Sequence, residues 1–294
     1  MAPSRNLFTR HLFFVLMLIM FFGLLGGCGG ASIVDEGSSS SGSSVSHSSV
    51  AAEEPSCEAP VGLALTDIDS VVEWINAMPK PLTLPCFITS LPRPMYYNAT
   101  KSTFSAQRSK GKRSPRVFFL IDKLVLTVVP DEQDEPKKDP ETGLNIKDPV
   151  TGRDKKFWDV DGVQLLEVSL EVDTDLPTRQ SIKGEFKFPI TETLSRKAPY
   201  VDINLYESNE LSSCALCHKN ETQIEVIDGQ PVYRSAMLRN REMDAVTLGF
   251  MLNEYSVCDP EYLENEWYRC EMLEAIYGQG TLVWKSFAED IETF

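Results

Sequence analysis

The sequence predicts an α+β fold, an antiparallel β-sheet or sandwich closed by C-terminal helices. Three observations carry this. Strand patterns come in series as "VQLLEVSLEV", "SIKGEFKFPI" and "YVDINLY". In the second, Ile182, Phe186, Phe188 and Ile190 share one face while Lys183, Glu185 and Lys187 share the other, the alternation of a sheet with one buried and one wet face. Two hairpins are also legible. "RVFFLIDKLVLTVV" turns at Asp122-Lys123, and "IEVIDGQPVYR" turns at Asp228-Gly229. Beyond Met237 the pattern becomes helical, most clearly in "DPEYLENEWYRCEMLEAIYG", with Asp259 as N-cap, Pro260 at the first helical position and Gly278 as the stop. No strand-helix-strand alternation of a parallel nucleotide-binding fold is present.

At the N-terminus, Arg5 and Arg10 precede the apolar run Leu12 to Leu25, which is shorter than the roughly 18 to 20 residues that span a bilayer. Residues 1–27 therefore read as a signal peptide. Leu25-Gly26-Gly27-Cys28 resembles the lipobox of bacterial lipoproteins. That resemblance implies lipidation of Cys28, and Gly29, where an Asp would favour the inner membrane, implies the outer one. Several acyl chains at about 0.8 kcal/mol per buried CH₂ give stable anchoring. Ordinary secretory cleavage near "GGASI" is the other reading, and it too exports the protein.

Residues 28–56 form a tether. Its centre, "GSSSSGSSVSHSSVAAEEP", is too poor in apolar residues to bury itself, and has a root-mean-square reach of about 25 Å. In composition it is similar to the serine linkers of secreted polysaccharide-degrading enzymes. Residues 57–294 are then expected to fold as one α+β domain. A short helix is predicted over "SVVEWINAM", with Thr66 as N-cap, an acid three residues on at Asp69, and Pro79 as the stop. A proline-rich segment follows to Pro94. The charged stretch 130–156 reads as a turn-rich insertion with a small repeat, "KDPETG" and "KDPVTG". Asp139, Asp148, Asp159 and Asp161 lack the alternating oxygen ligands of a calcium loop, so paired β-turns are the preferred reading.

Net charge narrows the partners. The 294 residues carry −15, and without residues 1–27 the chain has 26 basic against 43 acidic residues, or −17. Such acidity excludes nucleic acid as a partner. The exception is Lys101 to Arg116, six basic residues and no acid. It reads as a solvated loop before a strand, with docking on anionic lipid as the alternative.

Chemistry concentrates in "SSCALCHKNE", Ser212 to Glu221, where Cys214, Cys217 and His218 stand in the order C-x-x-C-H. With Cys28 set aside for lipid and these two for a cofactor, Cys57, Cys86, Cys258 and Cys270 remain, an even set for an oxidising compartment. Four cysteines allow three connectivities. Cys57–Cys86 and Cys258–Cys270 are preferred because each closes a short loop, stabilising by roughly 3 kcal/mol.

Over Cys214 to His218 the chain resembles monohaem c-type cytochromes. The resemblance implies one covalent haem c: two thioethers from Cys214 and Cys217, with His218 as the proximal iron ligand. His11 and His47 fall in the signal segment and tether, so His218 is the one histidine in residues 57–294. A second His ligand from this part of the chain is therefore excluded. Met237 is the preferred candidate for the sixth position, ahead of Met243 and Met251; core packing is the alternative for each.

Three other readings of the motif stay open: a zinc site, a thioredoxin-like dithiol, and a structural disulfide with an incidental histidine. The functional expectation is an outer-membrane lipoprotein, anchored by its N-terminal lipid, that exchanges electrons with an envelope redox partner. The alternative is a disulfide-stapled β-sandwich that binds polysaccharide and carries no haem. No paired Ser-His or His-acid constellation of an enzyme is legible.

Overall fold

A computed structural model of the chain describes residues 56–103, 107, 109–131, 164–203, 211–258 and 267–293. The signal segment, Cys28, the serine tether, the four candidate calcium aspartates and the Asp259-Pro260 cap lie outside the described residues, as does all but the first part of the 130–156 insertion. Among the described residues no helix is long and apolar enough to cross a membrane.

The fold is α+β, built on one eight-stranded sheet rather than two packed sheets. Its strands are β1 (Met95–Thr100), β2 (Arg116–Ile121), β3 (Leu124–Val128), β4 (Gln164–Val172), β5 (Gln180–Phe188), β6 (Thr222–Ile227), β7 (Gln230–Ala236) and β9 (Leu282–Trp284), in the spatial order β6-β7-β5-β4-β3-β2-β1-β9. Every pairing is antiparallel except β1 with β9. A separate parallel pair joins β8 (Leu238–Arg239) to β10 (Glu292–Thr293).

Both hairpins form. Asp122 (φ 52°) turns β2 into β3, and Asp228 (φ 49°) with Gly229 (φ 81°) turns β6 into β7, the two left-handed residues that a two-residue hairpin turn demands. Register then fixes which side chains share a face. Val117, Phe119, Leu124, Leu126, Leu166, Val168, Ile182, Phe186 and Phe188 are buried members of one continuous apolar core. Helix α1 (Ile68–Ala77) and helix α2 (Leu84–Thr89) pack against β4 on that core, and α2 also meets the C-terminal helix α5 (Trp267–Leu273) and its continuation Glu274–Gly278. N-terminal as well as C-terminal helices thus close the sheet.

Several local expectations need correction. Helix α1 is capped by Asp67, not Thr66: Ser70 N donates to Asp67 Oδ1 at 2.7 Å, and Asp67 N donates to Ser70 Oγ at 3.0 Å. The acid next to the helix accepts better than Thr66, and Ser70 completes the reciprocal box. "YVDINLY" is not a strand over its described part, since Ala198–Val201 forms the short helix α3 with Pro199 in its first turn. It lies so close to β5 that a Cβ on Gly184 would fall 2.8 Å from the Pro199 carbonyl oxygen. Only a glycine admits that approach. The proline-rich segment hides α2, whose start is set by the Thr83 cap and Pro85. Beyond Met237, β8 and a single turn at Glu242–Asp244 precede helix α4 (Leu248–Ser256).

The basic stretch is not a free loop either. Arg113 pairs with Glu254 at 2.8 Å, Lys110 with Asp131 at 3.5 Å, and Arg116 with Glu167. Buried Arg269 joins Glu254 at 2.6 Å and also donates to the Arg113 carbonyl oxygen. Three of the six basic side chains, Lys110, Arg113 and Arg116, are thus balanced by acids in space.

Both disulfides, Cys57–Cys86 and Cys258–Cys270, are formed, with Cα separations of 5.0 and 5.4 Å. The first ties the chain entry to α2. The second ties the end of the α4 segment to α5.

Candidate functional site

The C-x-x-C-H segment sits on the face of the sheet opposite the helices. Ser212 caps a 3₁₀ turn, Ser213–Leu216, by accepting from Cys214 N at 3.1 Å. Glu221 fixes that cap from the far end of the motif: its carboxylate accepts from Ser212 N at 2.5 Å and Ser212 Oγ at 2.6 Å. Cys217 N and His218 N then both donate to the Cys214 carbonyl oxygen, at 3.1 and 2.8 Å, which winds the motif into one turn. Cys214 is partly buried, Cys217 is exposed, and both are thiols.

His218 is held from the sheet. Its Nδ1 lies 2.8 Å from the Ala236 carbonyl oxygen at the end of β7. A carbonyl only accepts, so Nδ1 carries the proton and Nε2 keeps the lone pair of the neutral ring. Burial, seconded by the Lys183 and Arg116 charges, pushes the imidazole pKa down to about 3, against the Ala236 hydrogen bond. His218 is therefore neutral throughout the physiological range.

Cys214, Cys217, His218 and Met237 all line one cleft, whose void, counted with its open mouth, is about 1030 Å³. The opposite walls are strand residues of the polar face, among them Arg116, Thr127, Glu167, Ser169, Ser181 and Lys183. Phe287 and Ile291 reach in from the C-terminal segment, and Phe287 packs edge-on against Phe118 at 5.1 Å. Of the other two methionines, Met251 is fully buried in the apolar core and Met243 is 74% exposed. Neither lines the cleft, so core packing holds for Met251 alone.

The residue that pattern reading missed is Lys183. Strand alternation assigns it to solvent, yet it is partly buried and lines the cleft beneath the motif. Its Nζ lies 2.9 Å from Ser181 Oγ and 2.8 Å from Ser235 Oγ, two serines paired across β5 and β7. Burial pulls its pKa down to about 8, opposed by Cys214, Glu221 and Glu167. The Cys214 thiol is in turn pushed up by burial, against the Ser212 hydrogen bond and the Lys183 charge. The signal for Lys183 lay in "QSIKG", a lysine two residues from a small hydroxyl, which is common and carries little information by itself.

The donor set suits a covalent haem: two thiols of one turn, a histidine with one nitrogen anchored and the other carrying a lone pair, and a cleft with Phe118, Phe287 and Ile291 on one side and polar strand residues on the other. It does not suit a multidentate ion site. Among the described residues no group of three or more His, Cys, Asp or Glu side chains is placed to hold a metal ion. Comparison with protein-family models, with curated proteins and with solved structures finds no match to this chain.

Proposed function

We propose that the protein is a lipoprotein of the cell envelope, anchored through Cys28, that holds one covalent haem c and exchanges single electrons with an envelope partner. The observation that carries this reading is the hydrogen bond from His218 Nδ1 to the Ala236 carbonyl oxygen. It presents Nε2 as the lone-pair nitrogen beside two thiols in the C-x-x-C-H order, in a common cleft.

When bound, a haem supplies one-electron redox chemistry that no side chain of this cleft offers. The residues have separable tasks. Cys214 and Cys217 would hold the group through their sulfurs, and His218 would offer it Nε2. Glu221 and Ser212 hold the turn that carries the two cysteines. Phe118, Phe287 and Ile291 keep that side of the cleft apolar, which lowers the local dielectric and restricts solvent access to a bound redox group. The outer membrane follows from Gly29 after the lipidated cysteine.

The test is co-expression with a haem-attachment system, followed by a pyridine haemochrome spectrum of the denatured, acid-washed protein. A covalent haem that disappears in Cys214→Ser with Cys217→Ser supports the proposal. A colourless product, or haem that survives the double substitution, sinks it. The rival reading, a disulfide-stapled polysaccharide-binding module, draws on Cys57–Cys86 and Cys258–Cys270. It requires that the product remain colourless and that His218→Ala keep full glycan binding.

A further inference from the structure

Resting on the haem reading, we infer that the sixth iron position belongs to the Lys183 amine and not to the Met237 thioether. Among the described side chains that line the cleft, and apart from the motif itself, these two carry a nitrogen or sulfur that iron takes as a donor.

Reach excludes Met237. It follows Ala236, the residue whose carbonyl oxygen anchors His218 Nδ1 at 2.8 Å, and its own N–H is bonded to the Arg179 carbonyl oxygen at 2.8 Å. The Met237 backbone is thus pinned on the anchored side of the imidazole. From the Ala236 oxygen to Met237 Sδ the covalent path reaches at most about 7 Å. A donor trans to Nε2 across a metal sits about 9 Å from that oxygen, by ring geometry and ordinary metal-ligand lengths. The sulfur falls short by about 2 Å unless the His218 anchor breaks.

Lys183 has no such restriction. It comes from β5, the neighbour of β7, on a four-carbon stem that ends under the motif. Its hydrogen-bond inventory also fits a ligand. A neutral amine that gives its lone pair to a metal keeps two N–H donors, and two hydroxyl oxygens stand ready for them, Ser181 Oγ at 2.9 Å and Ser235 Oγ at 2.8 Å. The only further contact, to the Ser181 carbonyl oxygen, is long at 3.5 Å. No carboxylate is among these hydrogen-bond partners; the Glu221 and Glu167 charges act on the amine from farther off and favour the ammonium, against burial.

The experiment compares ferric holoprotein of the parent chain with Lys183→Met, Lys183→Arg and Met237→Leu by electronic absorption and electron paramagnetic resonance. The parent and Met237→Leu are expected to give the same low-spin signal with two nitrogen ligands. Both Lys183 variants are expected to lose it; Lys183→Met keeps a long unbranched side chain without the amine and Lys183→Arg keeps a basic head that is not deprotonated, so loss in both points to the amine. Circular dichroism establishes that each variant is folded. Low-spin spectra unchanged in both Lys183 variants, a high-spin parent, or loss of a methionine-to-iron charge-transfer band in Met237→Leu overturns the assignment while leaving the haem itself in place. Absence of covalent haem in the parent chain overturns the underlying reading and the assignment with it.

Discussion

The two faces of the central sheet are written in the same alternating code and use it differently. On the helix-covered face, Phe119, Leu124, Leu126 and Leu166 are fully buried apolar side chains. On the opposite face, Arg116, Glu167 and Lys183 are tucked under a coiled segment that contributes Cys214, Cys217 and His218. Alternation tells which residues point the same way. It does not tell whether a polar face meets water or another part of the chain. The stabilising face is made by the hydrophobic effect, the functional face by hydrogen bonds that satisfy buried polar groups one at a time.

The sharpest way to break this contrast is to truncate on both faces of one strand. Leu166→Ala, at a fully buried position of β4, is expected to cost about 3 to 4 kcal/mol, read by denaturant unfolding. Ser169→Ala, on the cleft face of the same strand, is expected to change stability by less than about 0.5 kcal/mol. Equal losses would mean that the cleft face is packed as tightly as the core. The next largest effect is on the cysteines that do not enter the cleft. Replacing Cys258 and Cys270 by serine opens a loop between residues 12 apart in sequence and is expected to cost roughly 3 kcal/mol in the loop-entropy description. A reductant titration of the parent chain, which opens Cys57–Cys86 as well, should exceed that loss, while the spectroscopic behaviour of the motif stays as it was.

A third prediction separates the faces by pH. In the haem-free protein His218 resists protonation down to about pH 3, whereas in the unfolded chain it titrates near 6.5. Below pH 6.5 the unfolded state therefore binds a proton that the native state does not, and stability falls as pH falls. The stabilising contribution is complete above that value and amounts to about 2 kcal/mol lost between pH 8 and pH 5. His218→Gln should remove this part of the slope, as measured by unfolding midpoints across that window. Burial sets it first, the Lys183 and Arg116 charges add to it, and the Ala236 hydrogen bond opposes it. An unchanged slope in the variant would place the imidazole in water.

Much of this architecture was legible because short-range chemistry decides it. The turns at Asp122 and Asp228-Gly229 name themselves, and Ile182, Phe186 and Phe188 declare a buried face. What failed to show needed distant partners. Met95–Thr100 became a strand by pairing with β2 and β9, and Tyr200-Val201 became helical through Pro199 and the space left by Gly184. The motif could be read in five residues, because its chemistry is local. Its setting could not: Lys183 acquires meaning from Ser235, 52 positions away, and His218 from Ala236, 18 away.

The smallest predicted effect tests whether the two faces are energetically separate. Asp67 caps α1, the helix that lies over the apolar face, and shares a reciprocal hydrogen-bond pair with Ser70. Asp67→Ala removes the acceptor for Ser70 N and should cost about 1 kcal/mol. Asp67→Asn keeps an acceptor oxygen there and should recover most of it. Because α1 packs on β4 from the helix side, a loss confined to capping must leave the cleft side untouched. The check is the reactivity of the exposed Cys217 thiol toward a maleimide under native conditions. Lower stability with an unchanged labelling rate means that the helix layer can loosen at its end without moving the motif. A faster rate in Asp67→Ala, reversed in Asp67→Asn, would mean that the sheet transmits the fraying of α1 to the far face, and that the cleft owes its shape to the core beneath it.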